Sequence, residues 1–195
     1  MDKKMKELLR YAISECLRKS KDFSDETERV ACFLACLNEV LEKLGTRLQV
    51  TGGFAVELYT GASYRTADID VKLDNPSVAD LLEEALNEIA ERGGREWIFQ
   101  GLLKAIDLLP SEVEECLIIE TPCGKLYVER PERLLVRYLA AWKYWNSTED
   151  RDKALMLAYA WSDHLDWEIL ERLAKKELVE DKLEEVRRWL RRLSR

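Results

Sequence analysis

The sequence is poor in several kinds of residue, and each scarcity excludes a class of protein. Its one histidine, His164, has no neighbours that complete a catalytic or metal-binding pattern. No apolar run approaches the ~20 residues that a membrane-spanning helix needs. The first residues predict an amphipathic helix and lack the apolar core of a signal peptide. We therefore expect a cytoplasmic protein with no membrane partner.

The cysteines do not indicate a secreted or zinc-binding protein. There are five, an odd number at irregular spacing, which argues against the disulfide framework of a small secreted domain. Cys32 and Cys36 lie four residues apart on an apolar helical face, which predicts packing. Cys116 and Cys123 lack the partners that a zinc site needs.

An excess of basic charge is also absent. The chain has 31 Lys and Arg against 38 Asp and Glu, a formal net charge of −7. Proteins that grip long nucleic acids usually carry a basic face, so the net charge gives no support for extended nucleic-acid binding. The basic stretch R-R-W-L-R-R-L-S-R ends a predicted helix whose first turn is acidic. We interpret it as a solvated face that complements the helix dipole.

What is present is typical of a globular protein. The 195 residues are 47% hydrophobic and 35% charged, enough for one domain with a sizeable core or for a small core with a helical appendage. Gln49 and Gln100 are the only glutamines, and few amides among many charges is a thermophile-like composition.

Hydrophobic periodicity divides the chain into three segments. Segment 1–45 contains a helical pair at 2–19 and 25–44, and segment 46–129 alternates strands with helices. Segment 130–195 is a C-terminal helical bundle. We predict an α/β (α+β) fold in which a mixed sheet is flanked by helices. Strands are expected at 48–50, 67–73, 97–99, 103–109, 115–120 and 125–129, and helices at 54–59, 76–92, 131–146, 149–162, 166–175 and 178–193.

The stretch from Val50 to Leu73 carries the candidate site, V-T-G-G-F-A-V-E-L-Y-T-G-A-S-Y-R-T-A-D-I-D-V-K-L. Gly52 and Gly53 lack Cβ atoms, so backbone N–H groups there can closely approach phosphate oxygens. The helix that follows points its positive end at the same place. This pattern favours a phosphate-binding turn.

Asp68 and Asp70 lie on the next predicted strand. Residues two apart point to the same face of a strand, so the two carboxylates project together. Neighbouring carboxylates repel unless a cation lies between them, and Mg²⁺ prefers such oxygen ligands. The alternative is an acidic pair that ends an edge strand at the surface.

The ordered combination of these motifs, with Arg65 and Thr66 just before Asp68, resembles the polymerase-β-like nucleotidyltransferase superfamily. It is most similar to the minimal prokaryotic branch, which includes stand-alone enzymes and abortive-infection toxin relatives. The resemblance implies a nucleotidyltransferase-like core that binds an NTP and two Mg²⁺ ions, or Mn²⁺, and transfers NMP to an unknown acceptor hydroxyl. The acceptor would be a protein, an RNA or a small molecule, and a toxin-type member would have an antitoxin protein as partner.

The resemblance also implies a third catalytic carboxylate on a neighbouring strand. Asp107, a lone acid in the apolar strand A-I-D-L-L-P, is the first candidate, because a buried unpaired carboxylate is costly. Glu120 is the second. The alternative for Asp107 is a strand end near solvent.

Further residues are candidates for nucleotide binding. Thr51 offers a hydroxyl, and Arg65 and Thr66 precede the aspartate strand. Lys72 shares the aspartate face and would reach a phosphate or pair with an aspartate. Arg137 stands where the resemblance expects a lysine.

The C-terminal region departs from the family pattern, since Arg151 and Asp152 replace Lys-Asp and Leu155 replaces an aspartate. This motivates a second hypothesis, a catalytically inactive nucleotide-binding module. A third is a nucleic-acid-binding helical protein, because aromatic residues can stack bases. Helical spacing favours a core role for those aromatics, which are Tyr138, Trp142, Trp145, Tyr159 and Trp161.

Overall fold

A computed structural model describes residues 2–193, which form eight helices and seven strands. In chain order these are α1 (Asp2–Ser20), α2 (Glu26–Lys43), β1 (Leu48–Thr51), α3 (Gly52–Tyr59), β2 (Asp68–Leu73), α4 (Pro76–Ile89), β3 (Glu91–Gly93), β4 (Glu96–Ile98), β5 (Ala105–Leu108), β6 (Cys116–Thr121), β7 (Gly124–Glu129), α5 (Pro131–Trp145), α6 (Thr148–Ala160), α7 (Trp167–Lys176) and α8 (Glu180–Leu193). No helix among these is long and apolar enough to cross a membrane.

The strands form one mixed sheet in the order β3-β4-β5-β2-β1-β7-β6. β1 runs antiparallel to β2 and parallel to β7, and β2 runs parallel to β5. The predicted fold class, a mixed sheet flanked by helices, is confirmed. The aspartate strand β2 lies in the centre of the sheet, so the alternative of an acidic pair on an edge strand is wrong.

Local signals explain where the helices begin and end. Asp25 caps α2 by accepting a hydrogen bond from the backbone N–H of Glu28, and Asn75 caps α4 through Ser77 and Val78. Gly45, at φ +74°, follows the end of α2 in the left-handed conformation that glycine adopts most easily. These caps account for the agreement between the predicted and observed starts of both helices.

The chain forms two compact units. The first contains residues 1–54 and 66–129, so the N-terminal helices share a unit with the whole sheet. The second contains residues 55–65 and 130–195, and in it Trp161 packs edge-on against Tyr59 with ring centroids 4.8 Å apart. The division into segments 1–45, 46–129 and 130–195 stays a prediction. Its boundary between residues 129 and 130 coincides with a boundary between the two compact units.

One predicted helix is shorter than expected. The helix predicted to reach Arg92 ends at Ile89, and Glu91–Gly93 forms β3 instead. β3 pairs with β4 across a turn at Gly94, which has φ +71°. The guanidinium of Arg92 lies 4.6 Å from the Trp97 ring centroid, a contact that needs the strand conformation.

Cys32 and Cys36 are buried, as expected from packing, but both are also bonded in disulfides that were not expected. Cys16 of α1 is bonded to Cys36 of α2, and Cys32 of α2 is bonded to Cys123 in the β6–β7 turn. Cys116 is the free cysteine. The odd count of five is therefore two disulfides and one thiol, a pairing that residue spacing does not reveal.

The aromatic residues divide between the core and the surface. Tyr138 is buried, as expected, but Trp145 is 80% exposed and Tyr159 is 60% exposed. A core role is therefore wrong for Trp145 and Tyr159.

Candidate active site

The three candidate aspartates lie on one face of the central sheet. In the β1–β2 register Asp70 is opposite Thr51, and in the β2–β5 register Asp70 is opposite Asp107. Paired residues of parallel strands point to the same face, as do residues two apart on one strand. Asp68, Asp70 and Asp107 therefore share a face, and Asp70 lies between Thr51 and Asp107. Asp107 is half-buried at the third of the four residues of β5, so both its catalytic role and the alternative of a strand end near solvent stay predictions.

Gly52 allows the turn to lie directly against Asp70. Gly52 has φ +61°, and a Cβ atom added there would lie 1.8 Å from Asp70 Oδ2. No other residue fits, because a side chain would both overlap this carboxylate and require a strained backbone. The first residue of the turn is thus specified by an aspartate eighteen positions later in the sequence.

Gly53 makes a similar close approach to Thr66. A Cβ atom on Gly53 would lie 2.8 Å from Thr66 Oγ1 and 3.0 Å from Thr66 Cβ. Thr66 is itself held in place, since buried Lys104 donates a hydrogen bond from Nζ to its carbonyl oxygen. Lys104 Nζ also lies 2.8 Å from Glu26 Oε1 in the first turn of α2. The start of the aspartate strand is therefore anchored against the Gly-Gly turn.

A buried charged cluster lies beside the turn. Thr51 Oγ1 donates a hydrogen bond to Glu129 Oε2, and Lys72 Nζ lies 3.8 Å from the same oxygen. The side chain of Glu129 is 0% exposed and that of Lys72 is 6% exposed. In the structure Lys72 thus forms a charge pair, but with Glu129 and not with an aspartate as expected, and its role at a phosphate stays a prediction.

Glu129 was not among the candidate residues from the sequence. It reaches the site because β7 runs parallel to β1, with Val50 opposite Val128, and this continues to Thr51 beside Glu129. In the sequence, the only indication is an acid that follows the apolar residues L-Y-V at the end of a predicted strand. This pattern does not reveal which other strand pairs with that one.

Two candidate arginines belong to the second compact unit. Arg65 Nη1 lies 3.3 Å from Oε1 of Glu57, a fully buried acid on α3. Arg137 is exposed on α5. Their assignment to nucleotide binding stays a prediction.

Glu120, the second candidate for the third carboxylate, is far from the aspartate strand. It is exposed on β6, at the edge of the sheet, and β7 and β1 separate it from β2. The register therefore favours Asp107.

The three aspartates have the type of side chain that binds magnesium, although their carboxylates do not form a compact group in the structure. Carboxylate oxygens are hard ligands that Mg²⁺ prefers. Within residues 2–193, no three His, Cys, Asp or Glu side chains are grouped closely enough to hold a metal ion. The carboxylate chemistry of the three aspartates fits Mg²⁺, and the binding of two ions stays a prediction.

By sequence, no protein-family model and no curated protein matches the chain. Solved structures do match it. One is an antigenic nucleotidyltransferase-like protein from Paracoccidioides brasiliensis, with a TM-score of 0.52 at 15% identity over 84% of this chain and 92% of that one. This likeness shows that the chain has a nucleotidyltransferase-like fold.

Two further matches are structures of the antibiotic-resistance factor ANT(2″)-Ia. The solution structure has a TM-score of 0.45 at 15% identity and covers 75% of this chain and 90% of that one. The crystal structure with adenylyl-2″-tobramycin has a TM-score of 0.39 at 15% identity, and the match covers 80% of this chain and 94% of that one.

Proposed function

We propose that this protein is a nucleotidyltransferase that moves NMP from an NTP to an acceptor hydroxyl. The observation that carries the proposal is the register of Asp70, between Thr51 and Asp107 and directly against Gly52. The β1–β2 and β2–β5 pairings thereby place the Gly-Gly turn beside a sheet face that carries three carboxylates. The nucleotidyltransferase-like fold supports the same chemistry.

Different residues bind the phosphates and accept the proton of the acceptor hydroxyl. The N–H groups of Gly52 and Gly53, at the positive end of α3, hold phosphate oxygens. Thr51, whose hydroxyl donates a hydrogen bond to Glu129, positions the turn that follows it in the chain. Asp107 accepts the proton of the acceptor hydroxyl at a carboxylate oxygen. The acceptor oxygen then bonds to the α-phosphorus, the bond to the β-phosphate oxygen breaks, and pyrophosphate leaves.

Asp68, Asp70 and Asp107 would hold two Mg²⁺ ions, for which Mn²⁺ is a plausible substitute. When bound, these ions neutralise phosphate charge and lower the pKa of the acceptor hydroxyl.

The test is Mg²⁺-dependent transfer of label from α-³²P NTPs to proteins, RNA and small-molecule hydroxyl compounds. Asp68→Asn and Asp70→Asn should each lower transfer by at least about 100-fold, in the range seen when charge stabilisation at a reacting centre is removed. Asp80→Asn is the matched control, because Asp80 is an exposed aspartate on α4. Transfer that survives both site substitutions would refute the proposal.

A second candidate function is a nucleotide-binding module without catalysis. The departure of Arg151 and Leu155 from the family pattern motivates it, and no three possible metal ligands are grouped together among residues 2–193. The module predicts measurable NTP binding by calorimetry with no labelled product from any NTP. A nucleotidyltransferase instead gives product with at least one NTP and acceptor.

We further propose a toxin role, with an antitoxin as partner, on the basis of the sequence resemblance. Growth arrest on expression, relieved by Asp70→Asn or by the product of a neighbouring gene, would support it. We also retain the cytoplasm as the location, because intracellular proteins of hyperthermophiles carry disulfides and the composition here is thermophile-like.

A further inference from the structure

The arginines of α8 fall into two pairs with different surroundings. Arg187 forms an ion pair with Glu171, and Arg191 Nη2 lies 2.7 Å from Glu184 Oε1. Arg188 and Arg192 are the next residues in each case. Among the residues that the structure describes, neither makes an ion pair or a hydrogen bond through its side chain. A favourable interaction with the helix dipole explains why all four arginines lie near the end of α8. It does not explain why, among the described residues, Arg188 and Arg192 lack acidic partners while the other two have them.

The unpaired arginines border a cavity of about 300 Å³ within the second compact unit. We call this the α5–α6–α8 cavity. It is lined by Trp142, Leu155, Glu185, Arg188, Trp189 and Arg192. Its volume is at the lower end of the range for small-molecule sites, which suits a ligand of one nucleotide's size.

The cavity has a net positive charge in a chain whose net charge is −7. Its one acid, Glu185, is neutralised, since Lys182 Nζ lies 2.7 Å from Glu185 Oε1. The guanidinium groups of Arg188 and Arg192 remain. Guanidinium groups bind phosphate oxygens in a bidentate geometry, so the charge here complements a phosphate group.

Two indole rings line the same cavity. Trp142 and Trp189 are both partly exposed rather than buried in a core. Tyr159 packs edge-on against Trp189, with centroids 6.2 Å apart, and Lys182 Nζ lies 4.3 Å from the Trp142 ring centroid. These contacts hold the rings before a ligand arrives. Indole rings stack on nucleobases, whichever base is present.

We propose that the α5–α6–α8 cavity binds a nucleoside phosphate, with the base against Trp142 and Trp189 and the phosphate at Arg188 and Arg192. The ligand is a free mononucleotide or one nucleotide of a single-stranded nucleic acid. The site is independent of the proposed transferase reaction, because none of its residues belongs to the aspartate site. The site would contact a single nucleotide, so it is consistent with the net charge of −7, which does not support extended nucleic-acid binding.

The experiment measures binding of AMP by calorimetry and of a fluorescein-labelled eight-nucleotide single-stranded RNA by anisotropy. EDTA and low salt are present throughout, so that metal-dependent binding at the aspartates does not contribute. Arg188→Ala/Arg192→Ala should weaken binding at least tenfold. Arg187→Ala/Arg191→Ala is the matched control, since it removes the same charge from the same helix, and should weaken binding less than threefold.

A second measurement tests the role of the base. An abasic oligonucleotide of equal charge should bind about tenfold more weakly than the RNA, as expected when base stacking is lost. Binding of both AMP and RNA identifies the mononucleotide as sufficient, and binding of RNA alone identifies the single strand as the source. Equal losses in the two arginine variants, equal binding of the abasic strand, or no binding of either ligand at millimolar concentration would overturn the proposal. The circular dichroism and thermal midpoint of each variant show that it is folded.

Discussion

Asp70 lies so close to Gly52 that its Oδ2 occupies the place where a Gly52 side chain would begin, 1.8 Å from the Cβ position. We predict that Gly52→Ala abolishes NMP transfer and destabilises the fold. The left-handed backbone alone costs about 1–2 kcal/mol for a residue with a Cβ atom, and the overlap with Asp70 adds to it. Transfer assays and urea unfolding measure the two effects.

Gly45→Ala is the control for this substitution. Gly45 has φ +74°, also left-handed, but no atom lies within 4 Å of its Cβ position. It should lose about 1 kcal/mol of stability, as left-handed alanine does, and keep full transfer. Equal effects of the two substitutions would show that backbone strain, rather than contact with Asp70, accounts for the loss.

The buried pair of Lys72 and Glu129 should be strongly coupled. Glu129→Gln leaves the buried ammonium of Lys72 without its charge partner, which typically costs about 3–5 kcal/mol. Lys72→Met should also be destabilising, because it removes the ammonium partner of the buried Glu129 carboxylate. The double variant should be more stable than the sum of the single effects predicts. Urea unfolding of all four proteins gives the coupling, and additive losses would contradict the pairing.

The choice of the third carboxylate is also testable. Asp107→Asn should lower transfer by about 100-fold, as the loss of a group that acts at the reacting centre does. Glu120→Gln should leave transfer unchanged, because Glu120 lies on the edge strand β6 and two strands, β7 and β1, separate it from β2. A large loss in Glu120→Gln with full activity in Asp107→Asn would reverse the assignment.

The two disulfides predict a specific thiol count. Alkylation of the native protein should modify one cysteine, Cys116, and alkylation after reduction and unfolding should modify five. Burial raises the pKa of the Cys116 thiol, so its reaction should be slow near neutral pH. Reduction should lower the thermal midpoint, because closing the 91-residue separation of Cys32 and Cys123 alone stabilises by about 4–5 kcal/mol in the chain-entropy model. Mass spectrometry that finds five reactive thiols in the native protein would exclude both bonds.

Tyr127 should ionise later than an ordinary tyrosine. Its hydroxyl donates a hydrogen bond to Glu42, and this bond, together with burial, raises the pKa of Tyr127 from 10.0 to about 12. Since the pKa is raised in the folded state, the stabilisation is complete below pH 10 and is lost as the pH rises through about 12. Ultraviolet titration of the phenolate should show one late tyrosine, which Glu42→Gln moves back toward 10. A late transition that persists in Glu42→Gln would assign it to another residue.

Local patterns predicted much of this molecule. Alternation along the strand placed Asp68 and Asp70 on one face, and the Gly-Gly turn was readable because glycine has no Cβ atom to obstruct a close approach. The caps Asp25 and Asn75 act within three residues in the chain, so the helix starts that they set agree with prediction. The error at Glu91–Gly93 has a tertiary cause, since that strand exists only through its pairing with β4.

What the sequence by itself determined is therefore most of the helices and strands, the Gly-Gly turn and the face that carries the aspartates, because these depend on periodicity and turn chemistry within a few residues. Only the tertiary structure decided that Asp107 lies beside Asp70, that Glu129 holds Thr51 and that Cys32 is bonded to Cys123. It also decided that, within residues 2–193, Arg188 and Arg192 lack the acidic partners that Arg187 and Arg191 have. Each of these depends on which distant elements become adjacent. Strand order and helix packing are set by the burial of many side chains together, and no short stretch of the chain contains that information.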